Sequence, residues 1–408
     1  MASDTKSSFL SWAGIKRLLR WNAVLNRFPW LRKVSPFLRT TRLLKPWRID
    51  QAVEAEKVTD GSIENIKILW PAGRISLEPT DLDRRFLEVC KYFNDGFYER
   101  RNIFTCEVPE AFVHVGTGLV CTRDFKAIID CHSYLLRLKT NPQFTWFKPL
   151  HRRRLPASPS GTRYAVVVDT WAFNWHHWLS DNLTRLYSLS LAYPNDRIVL
   201  VTPMKLKKDW KDSLAASLPP QFELQIEHDD VWVQVDRLVL PSFVTNRGNY
   251  HLPPGYYETM RKTAFAHLGL PQETEPRERL YVSRALGRSR RILNENELVQ
   301  MLCRYGFKSI LPEKMPFKEQ VDLYRRAEVV VGVYGANWGL NIYSGKIKNL
   351  VFYADKHPET YVFTFCKGLG QEHFFLAGES DDSNADFTVD LAVVERMLED
   401  EMNLRPRA

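Results

Sequence analysis

One polar run stands out for its chemistry: Asn174-Trp-His-His-Trp-Leu-Ser-Asp-Asn-Leu-Thr-Arg185. His177, Asp181 and Arg185 are each four residues apart, so on a helix they share one face. A neutral imidazole beside a carboxylate is a competent general base, because the carboxylate sets the tautomer and supports the imidazolium that forms. The same row would also suit a capping and salt-bridge network at a domain boundary, with Asn174 opening the helix. His176 turns away from the row by about 100°, as a structural residue or an acceptor contact.

A second cluster is cationic. Arg284, Arg288, Arg290 and Arg291 fall between an apolar alternation, Arg279-Leu-Tyr-Val-Ser283, and the helix opening at Asn294-Glu-Asn-Glu297. Guanidinium forks beside a helix N-terminus favour phosphate or pyrophosphate; the alternative is a solvated basic loop. Further on, Gly335-Ala-Asn-Trp-Gly339 supplies small residues that let backbone approach a ligand closely. It lacks the Lys-Ser/Thr of a phosphate-binding loop, and no GxGxxG occurs. Glu313, ahead of Pro316, is placed to accept from ribose hydroxyls.

Metal chemistry has little support in the sequence. Glu227-His-Asp-Asp230 is contiguous, so its side chains diverge on a strand end and read as a solvated turn. Asp381-Asp382 sits in a Ser/Asn/Asp loop. Neither HExxH nor a Cys/His spacing is present, nor the Gly-x-Ser-x-Gly of a serine hydrolase. No metal and no cofactor are expected. Asn182-Leu-Thr184 matches a glycosylation sequon but lies inside the polar helix.

The elements that must position these groups alternate. Strand Arg163–Asp169 precedes helix Trp175–Ala192, then strand 197–201, helix 205–217, strands 222–226 and 237–240, and helix 253–268. After a Pro/Glu-rich hinge near 270–278 the pattern restarts: strands 279–284, 307–311 and 329–333, with helices between them. Alternation of this kind means parallel sheets with crossover helices, whose strand carboxyl ends carry the ligand site. Two such series imply two Rossmann-like lobes facing a cleft, an α/β fold. Short apolar runs from Ile63 to His132 form a β-rich lead-in, and the basic Phe144–Ser160 stretch reads as a loop. The divisions expected are an arm and linker over 1–60, a first lobe with the β-rich lead-in over 61–270, and a second lobe over 271–408.

Composition is that of a soluble globular protein: 44% hydrophobic and 26% charged over 408 residues. The six scattered cysteines suit a reducing compartment and buried thiols. The net charge of +9 resides wholly in residues 1–50, which hold eleven Lys/Arg against two Asp. That distribution argues against a nucleic-acid-binding body. Trp12, Leu18, Trp21, Leu25, Phe28 and Trp30 interleave with those bases at near-helical spacing, as in a helix lying at an anionic bilayer surface. The apolar runs are too short to span, and no apolar leader with a cleavage site is evident.

In order, these residues resemble glycosyltransferase family 61, including its capsular-polysaccharide biosynthesis proteins. The family pattern Asn-x-x-His-Trp-Leu-x-Asp/Glu-x-Leu-x-Arg-Leu is met by Asn174, His177, Trp178, Leu179, Asp181, Leu183, Arg185 and Leu186. Ser283-Arg284, Arg290/Arg291 before Asn294-Glu295, Gly306-Phe307, Glu319-Gln320, and Gly332-Val-Tyr-Gly-Ala336 with Asn341 continue it. Tyr334 departs from the histidine usual in that last turn. The resemblance implies a GT-B architecture and inverting transfer from a nucleotide sugar to a glycan or lipid-linked acceptor, without a metal. His177 or Asp181 would be the base. Arg284, Arg290, Arg291, Asn294, Glu313, Tyr334, Gly335, Ala336 and Asn337 would face the donor, and Asn174, His176 and Arg185 the acceptor. It also implies a cytoplasmic enzyme, peripheral at the inner face of the cell membrane. A catalytically inactive membrane-associated protein of the same fold is the alternative that Tyr334 allows.

Overall fold

The computed structural model describes residues 48–49, 51–90, 96–131, 146–147, 152–229, 231–245, 249–355, 359–380 and 384–407. Residues 1–47 of the expected basic arm and Asp381-Asp382 therefore lie outside the described residues. Within them the chain is a mixed α/β fold built on two main sheets.

In the ten-stranded sheet, Thr162–Ala165, Arg197–Pro203 and Phe222–Glu227 run parallel, each added outside the last. The chain then crosses to the other side of Thr162–Ala165 and adds Trp232–Pro241, again parallel. The strand order thus reverses at one point, and the loops leaving the carboxyl ends of these two strands diverge there. They carry residues 166–174 on one side and residues 242–245 and 249–250 on the other.

The β-rich lead-in belongs to this same sheet. Its apolar runs at 104–108 and 112–115 form a single strand, Ile103–His114, antiparallel to Trp232–Pro241. Pairing continues through Pro109, opposite Arg237, so a proline that looks like punctuation does not end the strand. Arg152–Arg154, expected as loop, pairs in parallel with Trp232–Gln234.

The six-stranded sheet runs Phe307–Ile310, Glu278–Val282, Ala327–Val333, Lys348–Ala354, Glu372–Ser380, Phe387–Thr388, parallel except for the final pair. Its central strands are continuous apolar runs because helices cover both faces; Val329, Val330 and Val331 are fully buried. Here the order reverses between Glu278–Val282 and Ala327–Val333. Their carboxyl ends deliver Ser283-Arg284 and Tyr334-Gly335 side by side.

The polar run does not form the uninterrupted helix expected over Trp175–Ala192. A short α-turn, Trp175–His177, passes into a π-turn at Trp178–Asn182, and an α-helix resumes at Arg185–Ala192. Leu183 N–H reaches Trp178 O at 3.0 Å, one residue beyond α spacing. Asn182 satisfies a carbonyl the π-turn leaves open, donating to His177 O at 2.9 Å. Such single-turn π insertions rotate everything downstream relative to what precedes it. One further element was not foreseen: helix Asp81–Cys90 comes from the first segment yet packs on the second sheet, with Phe86 against Tyr353 and Phe375.

Candidate active site

Both points of strand reversal open on one cavity of about 1050 Å³. Asn174, His176, His177 and Asp181 line it from the first sheet's loops, and Arg290, Tyr334, Gly335 and Ala336 from the second's.

The His177–Asp181 pair forms as its spacing requires. Asn174 caps the α-turn, its Oδ1 accepting from the backbone N–H of His176 at 3.0 Å and of His177 at 3.5 Å. His177 Nδ1 lies 2.6 Å from Asp181 Oδ2. The other carboxylate oxygen accepts from Thr245 Oγ1 at 2.6 Å. Asp181 is buried, whereas the His177 side chain keeps 29% of its exposure. With Nδ1–H given to the carboxylate, Nε2 is left as the ring's basic atom. Burial of the ring opposes its charged form, but the hydrogen bond and charge of Asp181, with Asp169 behind, outweigh it and hold the His177 pKa above its ordinary value. Tyr250 OH sits 3.3 Å from the same Nδ1.

His176 is wholly different. It is buried among Tyr250, Tyr361 and Phe365, neither ring nitrogen has a hydrogen-bond partner, and burial holds its pKa well below the ordinary value.

Of Arg284, Arg288, Arg290 and Arg291, it is Arg290 that lines the cavity. Its backbone is left-handed, φ 59°, a conformation that disfavours any residue with a Cβ. The turn is held by Arg290 N–H to Asn384 O at 3.0 Å and by Arg291, whose guanidinium grips Asp386. Neighbouring arginines thereby point to different tasks. Arg290 lies over the Tyr334 ring, 4.3 Å from its centroid, and Tyr334 stacks on Tyr353 at 5.2 Å. Tyr334 thus offers the guanidinium a π face. Arg284 stands behind Gly335, its Nε donating to Ser289 O at 2.8 Å. Burial, together with the charge of Arg290, lowers its pKa. Two guanidinium groups held against their repulsion leave a place that an anion would relieve.

Several residues expected to contact ligand do other work. Arg185 is fully buried and donates to Val167 O at 2.8 Å and Pro241 O at 2.7 Å, tying together the two strand ends where the order reverses. The π-turn carries it off the His177–Asp181 face, so its expected acceptor contact is corrected. Arg291 is occupied by Asp386. Asn294 does not cap its helix but clasps Val389, accepting from its N–H at 3.1 Å and donating to its carbonyl at 2.8 Å. Glu313 is exposed, Asn337 is half-buried, and neither lines the cavity. The glycines of Gly335-Ala-Asn-Trp-Gly339 serve packing: a Cβ on Gly335 would meet Arg284 Nη1 at 2.4 Å, and one on Gly339 would meet His176 Cα at 3.2 Å. Glu227, expected on a solvated turn, is buried and paired with Arg153 at 3.0 Å. Among the described residues no group of three or more His, Cys, Asp or Glu could hold a metal ion.

Thr245, Tyr250, Trp171 and Tyr361 belong to the site but carry no signal in the sequence. They come from loops whose convergence depends on the strand order.

A buried carboxylate beside a partly exposed imidazole thus shares one cavity with the Arg290 guanidinium. Residues 175–340 match the model of the family Glycosyltransferase 61, the family whose motifs these residues follow; the enzyme is a glycosyltransferase. The comparison with curated proteins gave no match. Among solved structures, E. coli heptosyltransferase WaaC with ADP shares 11% identity over 59% of this chain and 98% of that one, with a TM-score of 0.29. At that score no inference passes from one fold to the other.

Proposed function

We propose that the enzyme is an inverting, GT-B-type glycosyltransferase moving a sugar from a nucleotide sugar to a hydroxyl of a glycan or lipid-linked acceptor. The observation that carries this is the His177–Asp181 pair and Arg290 lining the same cavity. His177 Nε2 takes the proton as the acceptor oxygen forms its bond to the anomeric carbon. The bond from that carbon to the diphosphate oxygen breaks, and the nucleoside diphosphate leaves with the electron pair. Asp181 does not receive the proton; it orients the ring and supports the imidazolium. Arg290 and Arg284 stabilise charge growing on the leaving oxygen, where preorganised cations act most strongly.

A role in capsular or other cell-surface polysaccharide assembly belongs to the same proposal, as does peripheral attachment through residues 1–50 at the inner face of the membrane. Among the described residues no helix is long and apolar enough to cross a membrane. The test is a thermal-shift screen against nucleoside diphosphates and nucleotide sugars, since a ligand that binds only the native state raises its stability by mass action. A stabilising nucleotide whose effect vanishes in Arg290→Ala supports the donor site. Stabilisation by no nucleotide, in folded protein, favours the inactive alternative.

A further inference from the structure

Beside the base stands a pair of aromatic rings that the transfer step does not use. Phe173 is 64% exposed, more than any other large apolar side chain among the described residues. Its ring stacks on Trp171 at 5.4 Å and 28°. Trp171 lines the cavity and lies 5.1 Å from the His177 ring at 35°. Phe173, Trp171 and the general base therefore form one continuous aromatic row leading out of the cavity.

The loop that carries the row is fixed before any ligand arrives. Asp169 Oδ1 accepts from Trp171 N–H at 2.9 Å, and Asp169 O from Ala172 N–H at 3.1 Å. Trp171 O accepts from Asn174 N–H at 2.8 Å, and Trp210 Nε1 donates to Ala172 O. Phe173 is thus held in water, where its hydration is unfavourable, rather than folded onto the core.

We propose that Phe173 and Trp171 are an acceptor subsite that stacks a sugar ring, so that the acceptor is an oligosaccharide whose next ring beyond the reacting one lies on Phe173. This rests on the transferase reading of the cavity. A pyranose has a face of C–H bonds and an edge of hydroxyls. Its C–H hydrogens, made positive by the ring oxygens, suit the negative face of an aromatic ring. Two ring-to-ring steps separate Phe173 from His177, a reach that two adjoining sugars span. The remaining lining favours the same occupant over an acyl chain. Glu54, Glu56, Arg101 and Asn102 line this cavity too, and a hydrocarbon would strip water from them without return, whereas hydroxyls can replace it.

The experiment is binding of the full-length protein to a broad oligosaccharide array and to lipid vesicles, for wild type, Phe173→Ala, Phe173→Trp and Ile226→Ala. Wild type is expected to bind a set of di- and trisaccharides more tightly than their monosaccharides. Phe173→Ala should bind that set roughly tenfold more weakly, the scale of one aromatic stacking contact with its buried area. Phe173→Trp should retain binding, and Ile226→Ala, which removes an exposed apolar side chain outside the cavity, should bind glycan as wild type does. Equal glycan binding by wild type and Phe173→Ala, no oligosaccharide bound by wild type, or vesicle binding that depends on Phe173 instead, overturns the subsite. Phe173-dependent glycan binding without turnover of any nucleotide sugar would leave the subsite standing and remove the transferase reading.

Discussion

Asp181→Asn isolates the electrostatic half of the proposed base. The substitution keeps size and leaves an oxygen for Thr245 to bond, while removing the charge 2.6 Å from His177 Nδ1. Unit charges about 4 Å apart at an effective dielectric near 20 attract by about 4 kcal/mol, and the partial exposure of His177 screens some of this. With that charge gone, burial of the ring is opposed only by the charge of Asp169, so the His177 pKa should fall. Titration of the histidine C–H signals by NMR in the free enzyme measures this without any substrate. The base works only when neutral, so activity of wild type should be lost as pH falls through the raised value. The acidic limb of Asp181→Asn should lie lower, over a plateau reduced about 10²–10⁴-fold. An unchanged His177 titration, or an unchanged plateau rate, would refute the pairing as the source of basicity.

Gly335→Ala should push Arg284 aside without straining the backbone, since φ there is 170° and extended; nucleotide affinity should fall about 10–100-fold while the thermal midpoint stays near wild type. Arg185→Ala strands buried carbonyls at the strand reversal and should destabilise by about 3 kcal/mol or more in denaturant unfolding. His176 has a depressed pKa in the fold, so the stability it contributes is complete above about pH 6.5 and is lost as pH falls. His176→Phe should therefore lose less thermal midpoint between about pH 7.5 and pH 5 than wild type does. A slope should remain in the variant, because buried His373, with a pKa lowered to about 4, pulls the same way.

The fold class was legible because buried parallel strands read as unbroken apolar runs, as at Val329–Val333 and Ile198–Val201. Strand ends were off by one to a few residues, which the pattern alone does not resolve. The lead-in was harder. Joining 104–108 to 112–115 depends on pairing with a strand more than a hundred residues later, and nothing local announces it. At the site, the His177–Asp181 contact forms with Asp181 inside the π-turn, whereas Arg185, placed after the turn, lost the shared face. Arg290 and Arg291 are indistinguishable as sequence. Only the left-handed turn and the carboxylate of Asp386 tell which one faces the cavity. Thr245 and Tyr250 could not have been named without the strand order that brings them beside residues 166–174.

His177 is proposed to act in transfer and not in donor binding. The direct measurement is nucleoside diphosphate release from the stabilising nucleotide sugar, with acceptor supplied from cell-surface glycan, by wild type and His177→Ala at matched donor occupancy. The expected result is unchanged donor affinity and turnover at least about 100-fold lower in the variant. Turnover by His177→Ala equal to wild type would contradict the assignment.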